Sequence, residues 1–332
     1  MTRRIVALLG AISTATVVWH PNPVHAQPSA AQVLSDMGWT ADDQQRVLNG
    51  EFVTNDATGV SDKDLALSIA FLVKTSPADL SEQIIAGNII GTDPQVRESG
   101  EFSGGGSLAD LARLQVDQNT LQAFLNARPG EKLNLSTGEI GAFDALQSTG
   151  PEAAQPQLRQ MLLNRFQAYQ ASGLAGIAPY DRGGSTTDVA QELRKASDAL
   201  TVLHKYMPAF QQVLTDYPRA TVPGLRQTFR WVHYDIDGTT TLVLMHELTA
   251  ADGTARAVVQ RQYYVSNGYN AEQAAAGFLP VQGGTIVAYT NHTFTDQVAG
   301  FGGGVKRSIG RRMMASKLTQ MFETARKGVG MQ

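Results

Sequence analysis

From residue 225 onward the chain is written in β-strand grammar, and this run constrains the fold more than any other stretch. Residues 227–236, 240–249 and 256–266 alternate in polarity or are rich in β-branched and aromatic side chains. Asp237-Gly238 and Asp252-Gly253 fall between them. An Asp-Gly pair supplies the positive-φ positions of a tight hairpin turn, so the pattern predicts an antiparallel meander. Asn270 with Gln273 has the spacing of a capping box and predicts a helix ending near Leu279-Pro280. Gly283-Gly284 then releases a fourth strand over residues 285–293. A last helix is expected over residues 304–327. Val305, Ile309, Met313, Leu318, Phe322 and Ala325 make one apolar face of it, widened by Met314 and Met321. Gly310 within it costs about 1 kcal/mol relative to alanine, which implies close packing on another element.

The first half reads differently. Residues 30–38 and 40–50 predict two short helices, the second capped by Thr40. In residues 64–73, Leu65, Leu67, Ile69, Phe71 and Val73 fall on one face of a strand. Ser76-Pro77 opens a helix, and residues 87–106 read as loop, including Ser103-Gly-Gly-Gly-Ser107. Residues 107–217 read as almost wholly helical: 107–115, 117–128, 136–147 from a capping box at Ser136 and Glu139, 156–173 and 188–206. The expected class is α+β, an antiparallel sheet packed on a long C-terminal helix, with a large helical block in mid-chain. Residues 27–332 form either one unit or three segments: 27–106, 107–217 and 225–332.

Residues 1–26 have the form of a signal peptide. Arg3 and Arg4 precede an apolar run, and Val24-His25-Ala26 suits cleavage after Ala26. The expected location is therefore periplasmic or secreted, and nucleic acid is excluded as a partner after export. The chain has 332 residues and no cysteine, so it has neither disulfides nor thiolate sites. No later apolar run reaches the about 18 residues needed to span a bilayer. Charge is uneven. From Val305 onward there are Lys306, Arg307, Arg311, Arg312, Lys317, Arg326 and Lys327 against Glu323, and the preceding body is acidic.

No catalytic signature is visible, and no cofactor motif. His233, Asp235 and His246 lie on neighbouring predicted strands and are the only candidates for a metal, with the solvated strand face the favoured reading. Gly302, Gly303 and Gly304 precede Lys306 and Arg307 at a helix start, where free amides and two cations suit an anion, although a tight turn also explains them. Tyr263, Tyr264 and Tyr289 supply aromatic walls for a pocket between the final helix and the sheet. The function expected is binding of a lipid-like or amphipathic anionic ligand, with Lys306, Arg307 or Arg311 as anchors. Two alternatives stand beside it: an envelope interaction protein whose basic terminal helix meets an anionic membrane surface or acidic partner, and a hydrolase without a recognisable motif.

Leu174-Ala-Gly-Ile-Ala-Pro-Tyr180, Tyr264-Val-Ser266 with Tyr269-Asn270, and residues 295–302 through Ile309-Gly-Arg-Arg312 resemble a family of uncharacterised secreted bacterial proteins, a domain of unknown function. That resemblance implies export and no particular activity. The order of a strand at residue 64, a helix after Ser76-Pro77, late strands and a final helix is also similar to the START-like, helix-grip fold. This likeness implies a long helix held in an antiparallel sheet, with residues 107–217 as a departure from it.

Overall fold

A computed structural model describes residues 28–253, 255–300 and 302–328; the expected signal segment lies outside the described residues. In chain order the elements are α1 (Ala30–Asp36), α2 (Ala41–Leu48), β1 (Val53–Asp56), β2 (Asp64–Val73), α3 (Pro77–Ile85) and β3 (Val96–Glu101). The helical block follows: α4 (Gln118–Leu125), α5 (Thr137–Asp144), α6 (Pro151–Ser172), the short pair β4 (Tyr180–Asp181) and β5 (Thr186–Thr187), α7 (Val189–Ala199), α8 (Thr201–Tyr206) and α9 (Pro208–Asp216). Then come β6 (Arg226–Ile236), β7 (Thr239–Asp252), β8 (Ala255–Val265), β9 (Ala271–Val281), β10 (Gly284–Phe294) and α10 (Gly303–Gly328).

One antiparallel sheet runs in the order β1-β2-β10-β9-β8-β7-β6-β3. The chain is thus α+β, a large antiparallel sheet with a C-terminal helix. Strands β6, β7 and β8 are the expected meander and β10 the expected fourth strand, and β9 extends the meander between them. Ile236 pairs with Thr239, and Asp237 and Gly238 between them have φ of 51° and 79°, the backbone of a two-residue type I′ hairpin. Strand β2 pairs with β10 along its whole length, so residues near the start close onto residues near the end.

Both faces of the sheet are covered, which is why β2 is buried almost throughout. Its large residues Leu67, Ile69 and Phe71 pack with Val287, Tyr289 and Phe278 against Leu80 of α3 and Met314, Leu318 and Phe322 of α10. Its small residues face the other way. On that second face Ala70, Ile286 and Ala288 meet α1 and α2, Leu248 and Val259 meet α9, and Phe229, Trp231 and Leu244 meet the α4–α6 helices.

Five local expectations are corrected. Residues 271–281 are not a helix but β9, hydrogen-bonded on both sides by β8 and β10. A full ladder with β10 and a seven-residue ladder with β8 outweigh the helix propensity of its alanines, and the backbone N–H of Asn270 donates to Phe294 O instead of opening a helix. Residues 107–115 form successive i→i−3 turns rather than an α-helix. Their carbonyls are taken from outside, Asp110 by the Trp231 indole and Ala112 and Leu114 by Arg159. Residues 87–106 contain the edge strand β3, and the long helix expected over 188–206 breaks at Leu200 into α7 and α8. Finally, the stripe of α10 that packs on the sheet is Met314, Ala315, Leu318 and Phe322, each partly buried, with Ala325 buried, whereas Val305, Ile309 and Met313 are 69%, 54% and 60% exposed. A Cβ on Gly310 would lie 3.1 Å from a Leu65 methyl. The helix comes closest to the sheet on its glycine side, and the contact stripe is rotated by about one residue from the expected one.

Candidate functional site beneath the terminal helix

Helix α10 crosses the sheet with Phe322 as its deepest aromatic contact. Its ring centroid is 5.0 Å from Phe71 and 5.0 Å from Tyr289. One turn on, the Arg326 guanidinium lies 4.5 Å over the Phe52 ring. A cavity of about 140 Å³ remains between this part of α10, α3, residues 89–93 and the strands. Phe71, Leu80, Ile84, Phe278, Met321 and Phe322 make it apolar. Its polar lining is Glu247, Asp93, Gln260, Tyr234, Tyr289 and Arg326.

Glu247 is the unusual member. The alternation of β7 turns its side chain to the α10 side of the sheet, opposite to His246 and Leu248. It is 2% exposed, and neither carboxyl oxygen meets a donor in full hydrogen-bond geometry, the Gln260 amide opposite it on β8 making only a weak approach that lowers its pKa. Burial pushes its pKa up to about 7, the Arg230 charge and the facing Gln260 draw it down, and Glu101 pushes it up. Arg230 does not neutralise it fully, because its guanidinium is held by Glu101 and by the carbonyl of Ile85. At neutral pH Glu247 therefore passes between a protonated donor and a carboxylate without a well-formed hydrogen bond, and burying an unpaired charge is costly. Beside it, burial and the charges of Asp93 and Glu272 keep the Tyr234 hydroxyl protonated.

The second face of the sheet carries a different set of buried polar groups. His246, Arg261, Gln273 and His292 stand in one register row across β7, β8, β9 and β10. The Arg261 guanidinium is fully buried and donates to Gln273 Oε1 (2.8 Å), Tyr169 Oη (3.2 Å), Ser197 Oγ (3.0 Å) and Leu214 O (2.8 Å). It thereby ties α6, α7 and α9 to the sheet. Burial and then the Arg261 charge hold the His246 pKa well down, so this ring stays neutral between Tyr169 and Gln227.

The residues expected to form one site are not brought together. Tyr289 lines the cavity, but Tyr263 and Tyr264 are buried in the core shared with α4–α6. Gly302 lies in the turn that leads into α10, and Gly303 and Gly304 begin the helix: Val305 and Lys306 donate to Gly302 O, and a Cβ on Gly303 would meet Val298 O at 2.6 Å. Arg307 donates to Asp62 O, and Arg311 pairs with Asp56 at 3.7 Å. Lys306 is about 30 Å along α10 from Arg326 at the cavity. His233 faces Leu242 and His246 faces Phe229, roughly 13 Å apart along the ladder, while Asp235 is paired with Arg97. Among the described residues, no group of three or more histidine, aspartate or glutamate side chains is placed to hold a metal ion. No helix among them is long and apolar enough to cross a membrane.

Glu247 escaped sequence reasoning because a glutamate in an alternating strand reads as solvent-facing. The one available signal was that β7 is apolar on both parities around it, as in a strand covered on both sides. Comparison with protein-family models, with curated proteins and with solved structures found no match.

Proposed function

We propose that the protein binds a small amphipathic molecule beneath α10, its apolar body between helix and sheet and its head group against Glu247. The observation that carries this reading is the buried carboxyl without a well-formed hydrogen bond on the wall of an apolar cavity. A ligand that donates a hydrogen bond or brings a positive charge supplies what Glu247 lacks. An anionic head, the expectation from the basic start of α10, would instead meet Glu247 and Asp93. The volume suits a body about the size of benzene. The helix-grip reading belongs to the same proposal. It is supported by a strand and short helix at the start of the sheet, a meander that returns to that strand, and a terminal helix across one face. The inserted helices α4–α9 cover the other face and leave the gripped one clear.

Calorimetric titration with hexylamine, hexanol and hexanoate tests this. Hexylamine should bind and hexanoate should not, and Glu247→Gln should weaken hexylamine at least tenfold while sparing hexanol. Binding of none of the three, or equal binding of hexanoate and hexylamine, would reject it.

A second reading is favoured by one observation, the exposed apolar stripe Val305, Ile309 and Met313 on a basic helix. It is the form of an interfacial helix on an anionic membrane. Co-sedimentation with phosphatidylglycerol vesicles should then be lost in Ile309→Asp with Arg312→Glu; retention unchanged from wild type counts against it. Export with removal of residues 1–26 is part of both readings, and N-terminal sequencing of the protein from its host checks it.

A further inference from the structure

A larger cleft, of about 1350 Å³, opens on the face of the sheet away from α10. Strands β2, β8, β9 and β10 make its floor, and α1 and α8 its walls. The floor carries small side chains, Ala257, Ala275, Gly277 and Ala288, with Gly277 and Ala288 directly opposed across β9 and β10. One end of the floor is polar. His292 and Asp64 are each 2% exposed. The imidazole Nδ1 donates to Asp64 Oδ2 at 2.8 Å, and the Val60 N–H donates to the same oxygen at 2.8 Å. A carboxylate only accepts, so Nδ1 carries the proton and Nε2 is the acceptor of the neutral ring. Although His292 lines the cleft, its Nε2 has no hydrogen-bond partner among the described residues. Two residues along, Ser68 Oγ and Thr290 Oγ1 are 3.1 Å apart. One of these hydroxyls donates to the other, which leaves an O–H for a ligand.

Charge narrows the choice of ligand. The Asp64–His292 pair is at most neutral, since any proton gained by the ring is balanced by the carboxylate. At the rim Lys205 is held by Asp36 at 2.6 Å, and Asp56 is paired with Arg311 at 3.7 Å. A carboxylate or phosphate head would find no unbalanced cation at the polar end. The volume exceeds the roughly 300–1,000 Å³ of drug-sized sites, so there is room for a molecule of lipid size.

The geometry points to a second ligand site, for an uncharged amphiphile whose chain lies on the alanine–glycine floor and whose hydroxyl end meets His292 Nε2 and the Ser68–Thr290 pair. This site lies across the sheet from the cavity beneath α10, and neither depends on the other.

The test is titration of the full chain with monodecanoylglycerol, decanoate and decylammonium below their micelle concentrations. Monodecanoylglycerol should bind at least tenfold more tightly than either charged analogue. Gly277→Phe fills the floor. Its backbone has no positive φ, and a Cβ there would meet only a Leu279 methyl at 4.0 Å. That variant should lose monodecanoylglycerol at least tenfold while keeping its melting temperature and its response to hexylamine. Ser68→Ala with Thr290→Val, and separately His292→Gln, should erase the preference over decanoate without abolishing chain binding. If His292→Gln does not fold, the hydroxyl variant alone decides. Equal affinity for the three heads, a preference for decylammonium, or normal binding by Gly277→Phe would overturn the inference.

Discussion

Glu247 and Glu192 are the two carboxyls that burial pushes up to about 7, Glu192 against the opposing pull of Lys63. A carboxyl with a raised folded-state pKa holds its proton more tightly folded than unfolded. Each therefore favours the folded state fully only below the usual value of 4.5, and that contribution is lost as pH rises through about 7. Across this window the loss is on the order of 3 kcal/mol per group. His246 works the other way, since its depressed pKa makes stability rise with pH up to about 6.5, so the wild-type curve mixes both signs. The difference between proteins separates them: Glu192→Gln/Glu247→Gln should gain stability relative to wild type between pH 4.5 and 7.5 in urea titrations. A constant difference would show that these carboxyls ionise normally. At this scale several caps and turns were legible, because their chemistry is local, whereas the spacing of Asn270 and Gln273 opened no helix. Thr40 with Asp43 and Ser136 with Glu139 both form the reciprocal boxes their spacing predicts, and Asp237-Gly238 makes its turn. Glu247, Asp64 and His292 were not, because their surroundings are set by residues far away in the chain.

Among the elements, α10 was legible in extent but not in rotation. Its apolar residues spread over more than one stripe, and Gly310, rather than the larger side chains, selects the one that faces β2. Gly310→Val should destabilise the fold by about 1–3 kcal/mol, by forcing branched atoms into Leu65. Leu65→Ala should recover part of that loss in the double mutant, as read by urea denaturation; simple additivity would mean that the two do not touch. Strand β9 shows the opposite limit. Ala271–Val281 has the local preferences of a helix, but its neighbours β8 and β10 present two unpaired edges that only an extended chain satisfies. The edge strands β1 and β3 were missed because they are short and polar and carry no alternation to detect.

At the scale of the molecule, the sequence announced a meander and a terminal helix, but not what closes the sheet. The β2–β10 pairing joins residues more than two hundred positions apart, and nothing in local periodicity encodes it. The helical insertion was visible as a block, yet its docking on the face opposite α10 depends on buried contacts such as Arg261 with Leu214 and Tyr169 with His246. With that face covered, the other is left to α3 and α10, and Glu247 is buried on it at the wall of the cavity they enclose with the strands. Carbon-13 NMR titration of the Glu247 side-chain carboxyl, with and without hexylamine, tests the central claim most directly. The expected result is titration near pH 7 in the free protein and at least a tenfold weaker hold on the proton when hexylamine is bound. Titration in the ordinary carboxylate range, or a curve that hexylamine leaves unchanged, would contradict it.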